Sequence, residues 1–152
     1  EGAGVRVGEY SPTGSLFGQS EPFTCVASSC RMLVDDLGVA LSEGQVATAL
    51  RTTESGASLG AAPEALQSLG ISGGTFSATS SVDDMVTALA NGRSIAVGVR
   101  VPGIGSHALV VDRIADGMVY IRDPLPVAQG SSFAIPLSEF RSLISSRMFY
   151  FR

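Results

Sequence analysis

Hydrophobic positions recur with two different periods along the 152-residue chain, and the change of period divides it. Residues 1–22 carry Gly, Ser, Pro and Glu with little periodicity and read as an irregular lead-in, its first 14 residues most of all. From Cys25 to Leu37, the residues Val26, Cys30, Leu33 and Leu37 fall near one helical face, and Gly38 supplies a C-terminal stop. Ser42 with Gln45 three residues later forms a capping box, which opens a helix running to the neighbourhood of Arg51. Thr52 to Gly60 is a polar loop. Pro63 stands where a first helical residue belongs, and Gly70 closes that short helix after Leu69. Ser81 followed by Asp84 starts a fourth helix, which Asn91-Gly92 ends.

In the second half the period shortens to two. Ile95, Val97, Val99 and Val101 alternate with other residues, the mark of a half-buried strand. His107 to Ile114 is a second strand and Met118 to Arg122 a third, with Asp116-Gly117 between them. After a Pro-containing loop, Leu137 to Ile144 is a short helix and Met148 to Phe151 a closing, buried strand. Helices first and antiparallel strands afterwards make the chain α+β.

Loop length sets the register of the hairpin. A two-residue loop, Asp116-Gly117, places Val110 opposite Asp123 and turns His107 to the other face. A three-residue loop, Ala115-Asp116-Gly117, places Leu109 opposite Asp123 instead. His107, Leu109, Val111, Val119, Ile121 and Asp123 then share one mostly apolar face, and Asp112, Tyr120 and Arg122 share the other. The second pattern is the cleaner and is the one expected.

Composition narrows the class. Hydrophobic residues make up 45% of the chain, enough for one compact domain over residues 1–152. No run of eighteen apolar residues occurs, which excludes a transmembrane helix, so membrane insertion is not expected. The net charge of −4 comes without a basic stretch, so nucleic acid is not an expected partner. All ten basic residues are Arg, as GC-rich coding would produce. The sequence opens at Glu1 without a charged-then-apolar signal segment and reads as a domain excised from a larger protein or as a processed product.

The two cysteines, Cys25 and Cys30, point about 140° apart on a helix and cannot bridge unless it breaks. With one His they do not make an ordinary four-ligand zinc site, and no metal or organic cofactor is implied. A reactive thiol is the remaining chemistry. Cys25 opens a helix, where unpaired N–H groups and the positive helix end stabilise a thiolate. An imidazole, His107, could activate that thiol and protonate a leaving group, and a carboxylate, Asp123, could fix the imidazole's tautomer. Gln19, six residues before the cysteine, could offer its amide to an oxyanion beside the Cys25 N–H. Taken singly each has a plain role in packing or a loop; Cys30 reads as core. Asp35-Asp36 and Asp83-Asp84 read as solvated helix faces, and Gly103-Ile104-Gly105 as a loop beside His107. With residues 52–62 and 72–80, the 101–106 loop is expected to line a cleft.

The order Gln, Cys, His, Asp resembles papain-fold cysteine peptidases, in particular the compact bacteriocin-processing type, peptidase family C39. The matching stretches are Gln19 with Phe23-Thr24-Cys25-Val26-Ala27, then Ser106-His107-Ala108-Leu109-Val110-Val111-Asp112, then Val119-Tyr120-Ile121-Arg122-Asp123-Pro124. Leu66 to Ile71 and Ile135 to Phe140 also fit, so the resemblance spans residues 15–152. It implies a papain-like fold with Cys25 as nucleophile, His107 as general base and acid, Asp123 as the orienting residue and Gln19 in the oxyanion hole. Val26 stands where the processing peptidases usually carry Gly, and in this the chain resembles papain-fold toxin domains of secreted bacterial proteins. That resemblance implies delivery from a bacterium, a protein or peptide substrate in the cytoplasm of a recipient cell, and a cognate immunity protein. The same residues also suit a glutamine deamidase or transamidase, and the fold suits a non-catalytic binding domain.

Overall fold

The computed structural model describes residues 10–152, so the lead-in before residue 10 lies outside the described residues. The elements are α1 (Cys25–Asp36), α2 (Glu43–Ala49), a 3₁₀ turn (Leu59–Ala61), α3 (Ala62–Ser68), β1 (Gly74–Ser77), α4 (Val82–Leu89), β2 (Ile95–Val101), β3 (Gly105–Ala115), β4 (Met118–Asp123), β5 (Ser131–Pro136), α5 (Leu137–Leu143) and β6 (Ile144–Phe151). The class is α+β. The strands form one antiparallel sheet in the order β1-β6-β2-β3-β4-β5.

Alternation along the strands divides the interior in two. Ala96, Ala108, Val110, Phe149 and Phe151 face the layer of α1, α2 and α3, where Leu33, Val46 and Leu66 are buried. Ile95, Val97, Val99, Leu109, Val111, Val119 and Ile121 face the opposite way, against Met85 of α4 and Phe140 and Leu143 of α5. Because both faces of β2 and β3 are covered, these strands hold few polar residues away from their ends. Helix α1 is central: Val26, Ala27, Ser28, Ser29, Cys30, Met32, Leu33 and Val34 are all buried.

The capping boxes form as the sequence requires. Ser42 accepts from the Gln45 N–H and Ser81 from the Asp84 N–H, while the Gln45 and Asp84 side chains take the N–H of the cap residues in return. Other expectations need correction. Leu37 lies outside α1 and is about one-third exposed, at 36%. Two short strands, β1 and β5, occupy stretches expected to be loops, and β1 precedes α4, so the division into helices and then strands is not clean. Strand β6 begins at Ile144, four residues before the expected Met148.

The hairpin between β3 and β4 turns through Asp116-Gly117 alone, both with positive φ (54° and 75°), with Ala115 opposite Met118. The expected three-residue loop is therefore absent. The expected register on the far side is nevertheless present, because an irregularity between Val111 and Arg113 accommodates one extra residue, Asp112, on β3. Val111 then faces Ile121 and Val110 faces Arg122, which sets Leu109 across from Asp123. Among the described residues no helix is long and apolar enough to cross a membrane.

Candidate active site

Cys25 is the first residue of α1, so its N–H has no carbonyl of the same helix to meet. The turn before it is closed by Thr24, whose hydroxyl donates to the Glu21 carbonyl and accepts from the Glu21 N–H, each at 3.1 Å. The thiol is partly exposed, whereas Cys30 is buried and has its thiol pushed up to about 12 by burial, with a further contribution from Cys25. Cys30 is thus held as a neutral core thiol.

His107 lies three residues into β3 and Asp123 is the last residue of β4. The bulge at Asp112 gives their strands the register in which the two side chains are diagonal neighbours. Nε2 of His107 lies 2.7 Å from Oδ1 of Asp123, and both residues are buried. The same Oδ1 accepts the Leu125 N–H at 2.9 Å, which fixes the carboxylate against the chain that follows it. With Nε2 engaged, only Nδ1 is left to meet Cys25. Burial pushes the His107 imidazole down, but the hydrogen bond to Asp123, a contribution from Cys25 and the negative charge of Asp123 outweigh it and hold it up at about 9. The ring therefore favours its protonated form between a carboxylate and a thiol.

Gln19 is buried and its backbone is sewn to the loop after Asp123: its N–H donates to the Pro124 carbonyl at 2.9 Å, and its own carbonyl accepts from the Ala128 N–H at 2.7 Å. Gly18 permits that approach, since a Cβ there would lie 2.4 Å from the Gln129 nitrogen. On the other side Ser28 of α1 donates to the Phe17 carbonyl at 2.7 Å, so the segment spans nucleophile helix and carboxylate loop. The Gln19 Nε2 donates to the Glu21 carbonyl at 2.7 Å, leaving the second N–H of that amide for another acceptor. Oε1 of Gln19 and Oδ2 of Asp123 are buried without a partner among the described residues.

The structure thus joins His107 to Asp123, with Cys25 among the groups that raise the His107 imidazole, while Gln19 sits against the Asp123 loop. The sequence reading missed two further arrangements. Glu43, at the start of α2, accepts the Ser20 N–H at 2.9 Å and also the Ser20 hydroxyl, steadying the residue beside Gln19. Arg122 is buried and paired with Asp36 and Asp112, so Asp36, exposed as expected, also holds an ion pair. An Arg ending a run of apolar strand residues was the available signal. A cavity of about 1070 Å³ opens at this ion-pair cluster, lined by Tyr10, Asp36, Asp112 and Arg122, and not at Cys25.

No protein-family model and no curated protein matches the sequence. Solved structures do match in fold. The peptidase domain of Streptococcus ComA, a bifunctional ABC transporter involved in quorum sensing, superposes with a TM-score of 0.76 at 16% identity, covering 89% of this chain and 95% of that one. A double-glycine-motif protease from an AMS/PCAT transporter, in complex with its leader peptide, gives 0.73 at 18% identity, with 91% of each chain covered. A C39-like peptidase from Bacillus anthracis gives 0.72 at 13% identity, covering 90% and 93%. The chain has the fold of C39 peptidase domains, which is the papain-like fold expected from its motifs.

Proposed function

We propose that this chain is a papain-like cysteine peptidase in which Cys25 is the nucleophile, His107 the acid and base, Asp123 the orienting group and Gln19 an oxyanion donor. The observation that carries the reading is the buried 2.7 Å contact from Nε2 of His107 to Asp123, which leaves the ring's other nitrogen for the thiol at the start of α1. The fold shared with three peptidase domains supports it.

In this mechanism the Cys25 thiolate attacks the carbonyl carbon of a peptide bond. The oxyanion is met by the Cys25 N–H and by the amide hydrogen of Gln19 that Glu21 leaves free. Protonated His107 gives its proton to the departing amine as the C–N bond breaks, which leaves a thioester on Cys25. Water, giving a proton to His107, attacks the thioester carbonyl, and the C–S bond breaks to release the acid and restore the Cys25 thiolate beside the protonated ring. Asp123 stays ionised throughout and keeps the imidazole oriented.

The substrate is a polypeptide segment, the class bound by the transporter protease captured with its leader peptide. Delivery into a recipient cell and neutralisation by an immunity protein belong to the same proposal, supported by Val26 after Cys25. The test is mass spectrometry of protein N-termini across bacteria expressing the wild-type chain or its Cys25→Ala variant. New termini that depend on Cys25 are expected. Glutamine-to-glutamate conversion without new termini would replace the peptidase with a deamidase.

A further inference from the structure

The elements that carry the four candidate residues meet a second time, at Arg122. Helix α1 contributes Cys25 to the active site and Asp36 to this junction; β3 contributes His107 and then Asp112; β4 contributes Asp123 and Arg122 itself. The segment ahead of Gln19 joins through Ser15 and Tyr10. The Arg122 guanidinium binds Asp36 through both ends, Nη1 to Oδ1 at 3.2 Å and Nη2 to Oδ2 at 2.6 Å. Its Nε donates to Asp112 at 3.0 and 3.1 Å, and Nη1 donates to the Ser15 carbonyl at 2.8 Å. Ser94 and Tyr10 donate to the two oxygens of Asp112 at 2.5 and 2.7 Å, so the junction is saturated. Gly14 passes so close above it that a Cβ would lie 2.5 Å from both Arg122 and Asp36.

We infer that Arg122 is a positioning residue for the proposed active centre, setting the register of α1 against β3 and β4 at the end remote from Cys25. The inference rests on the peptidase reading. A buried ion cluster adds little stability over apolar residues of similar volume, but it fixes geometry, because a guanidinium fork accepts carboxylates in few orientations. From Asp36 to Cys25 the helix rises about 16 Å, and from Asp112 to His107 the strand runs about 17 Å. A tilt of about 4° at the junction would then move Cys25 by about 1 Å, a misplacement that can cost about 10²-fold in rate. The charge of Asp36 does not itself act at Cys25 over that distance, which exceeds the Debye length of about 8 Å at physiological salt.

The test follows alkylation of Cys25 by iodoacetamide from pH 5 to 9, read by peptide mass spectrometry, with thermal unfolding measured in parallel. The variants are Arg122→Met, Asp36→Ala and Asp36→Glu. Because Asp36 lies at the surface end of α1, Asp36→Ala keeps the buried Arg122–Asp112 pair and tests the point even if Arg122→Met does not fold. Wild type is expected to react at pH 6 well above a model thiol. Asp36→Ala is expected to fall about tenfold toward it at a temperature where it is still folded, its melting temperature lowered by the loss of both bonds to Arg122. Asp36→Glu restores the wild-type pH profile. A wild-type profile in Asp36→Ala, or a loss that merely tracks unfolding, overturns the inference and leaves the peptidase reading intact. A wild type no more reactive than the model thiol removes that reading and the inference together.

Discussion

Replacing Asp123 with Asn keeps the shape of the side chain and removes its charge, which separates the two ways Asp123 acts on His107. The Asn oxygen can still accept from Nε2 of His107 and from the Leu125 N–H, as Oδ1 does now at 2.7 and 2.9 Å. Its nitrogen would take the place of Oδ2, which is buried without a partner among the described residues. What disappears is the negative charge that helps hold His107 at about 9 against its ordinary 6.5, while the burial that pushes it down remains. The difference, 9 − 6.5 = 2.5, corresponds to about 3 kcal/mol at about 1.36 kcal/mol per pH unit. Because the folded value is the higher one, this stability is present in full below about pH 6.5 and is lost as pH rises through about 9. The chain has a single histidine, so its imidazole proton signals in an NMR titration need no assignment. Wild type should titrate near 9, with urea-unfolding free energy falling between pH 6.5 and 9. Asp123→Asn should titrate at least about one unit lower and lose most of that slope. A wild-type midpoint at or below 6.5 would refute the reasoning.

Three other outcomes follow from the geometry. Gln19→Ala should lower turnover about 10²- to 10³-fold with little change in KM, as loss of an oxyanion donor does; an unaltered kcat removes Gln19 from that role. Gly18→Ala forces a methyl group to 2.4 Å from the Gln129 nitrogen and should destabilise the fold by about 1–3 kcal/mol in urea unfolding. Phe149→Ala should cost about 3–5 kcal/mol in the same assay, since Phe149 is wholly buried and its ring stands edge-on to Phe151 at 5.2 Å.

The elements legible in the sequence were those whose ends or faces are marked locally. The capping residues Ser42 and Ser81 announce α2 and α4, and the alternation of Ile95 to Val101 announces β2. The two strands that were missed, β1 and β5, are the two edges of the sheet. Gly74-Thr75-Phe76-Ser77 is only partly buried along its whole length and carries no apolar alternation to mark it. The hairpin shows a subtler limit. Parity required one extra residue somewhere in β3 or its turn, and the hydrophobic pattern could not distinguish a longer loop from a bulge at Asp112. The four candidate site residues were legible because their chemistry is uncommon in combination. Arg122 was not, since its partner Asp36 lies 86 positions away and only the folded chain brings them together.

The position of β6 bears on when the molecule can act. Although β6 follows every other element in the chain, it lies inside the sheet, between β1 and β2. Phe149 and Phe151 on it complete the core beneath α1, the helix that carries Cys25. On a ribosome, therefore, Cys25, His107 and Asp123 are all synthesised before the strand that lets their supports close. Non-local closure of this kind is slow. The order of the elements thus leaves the proposed nucleophile unassembled until β6 itself has been made, a delay between making the reactive groups and arming them.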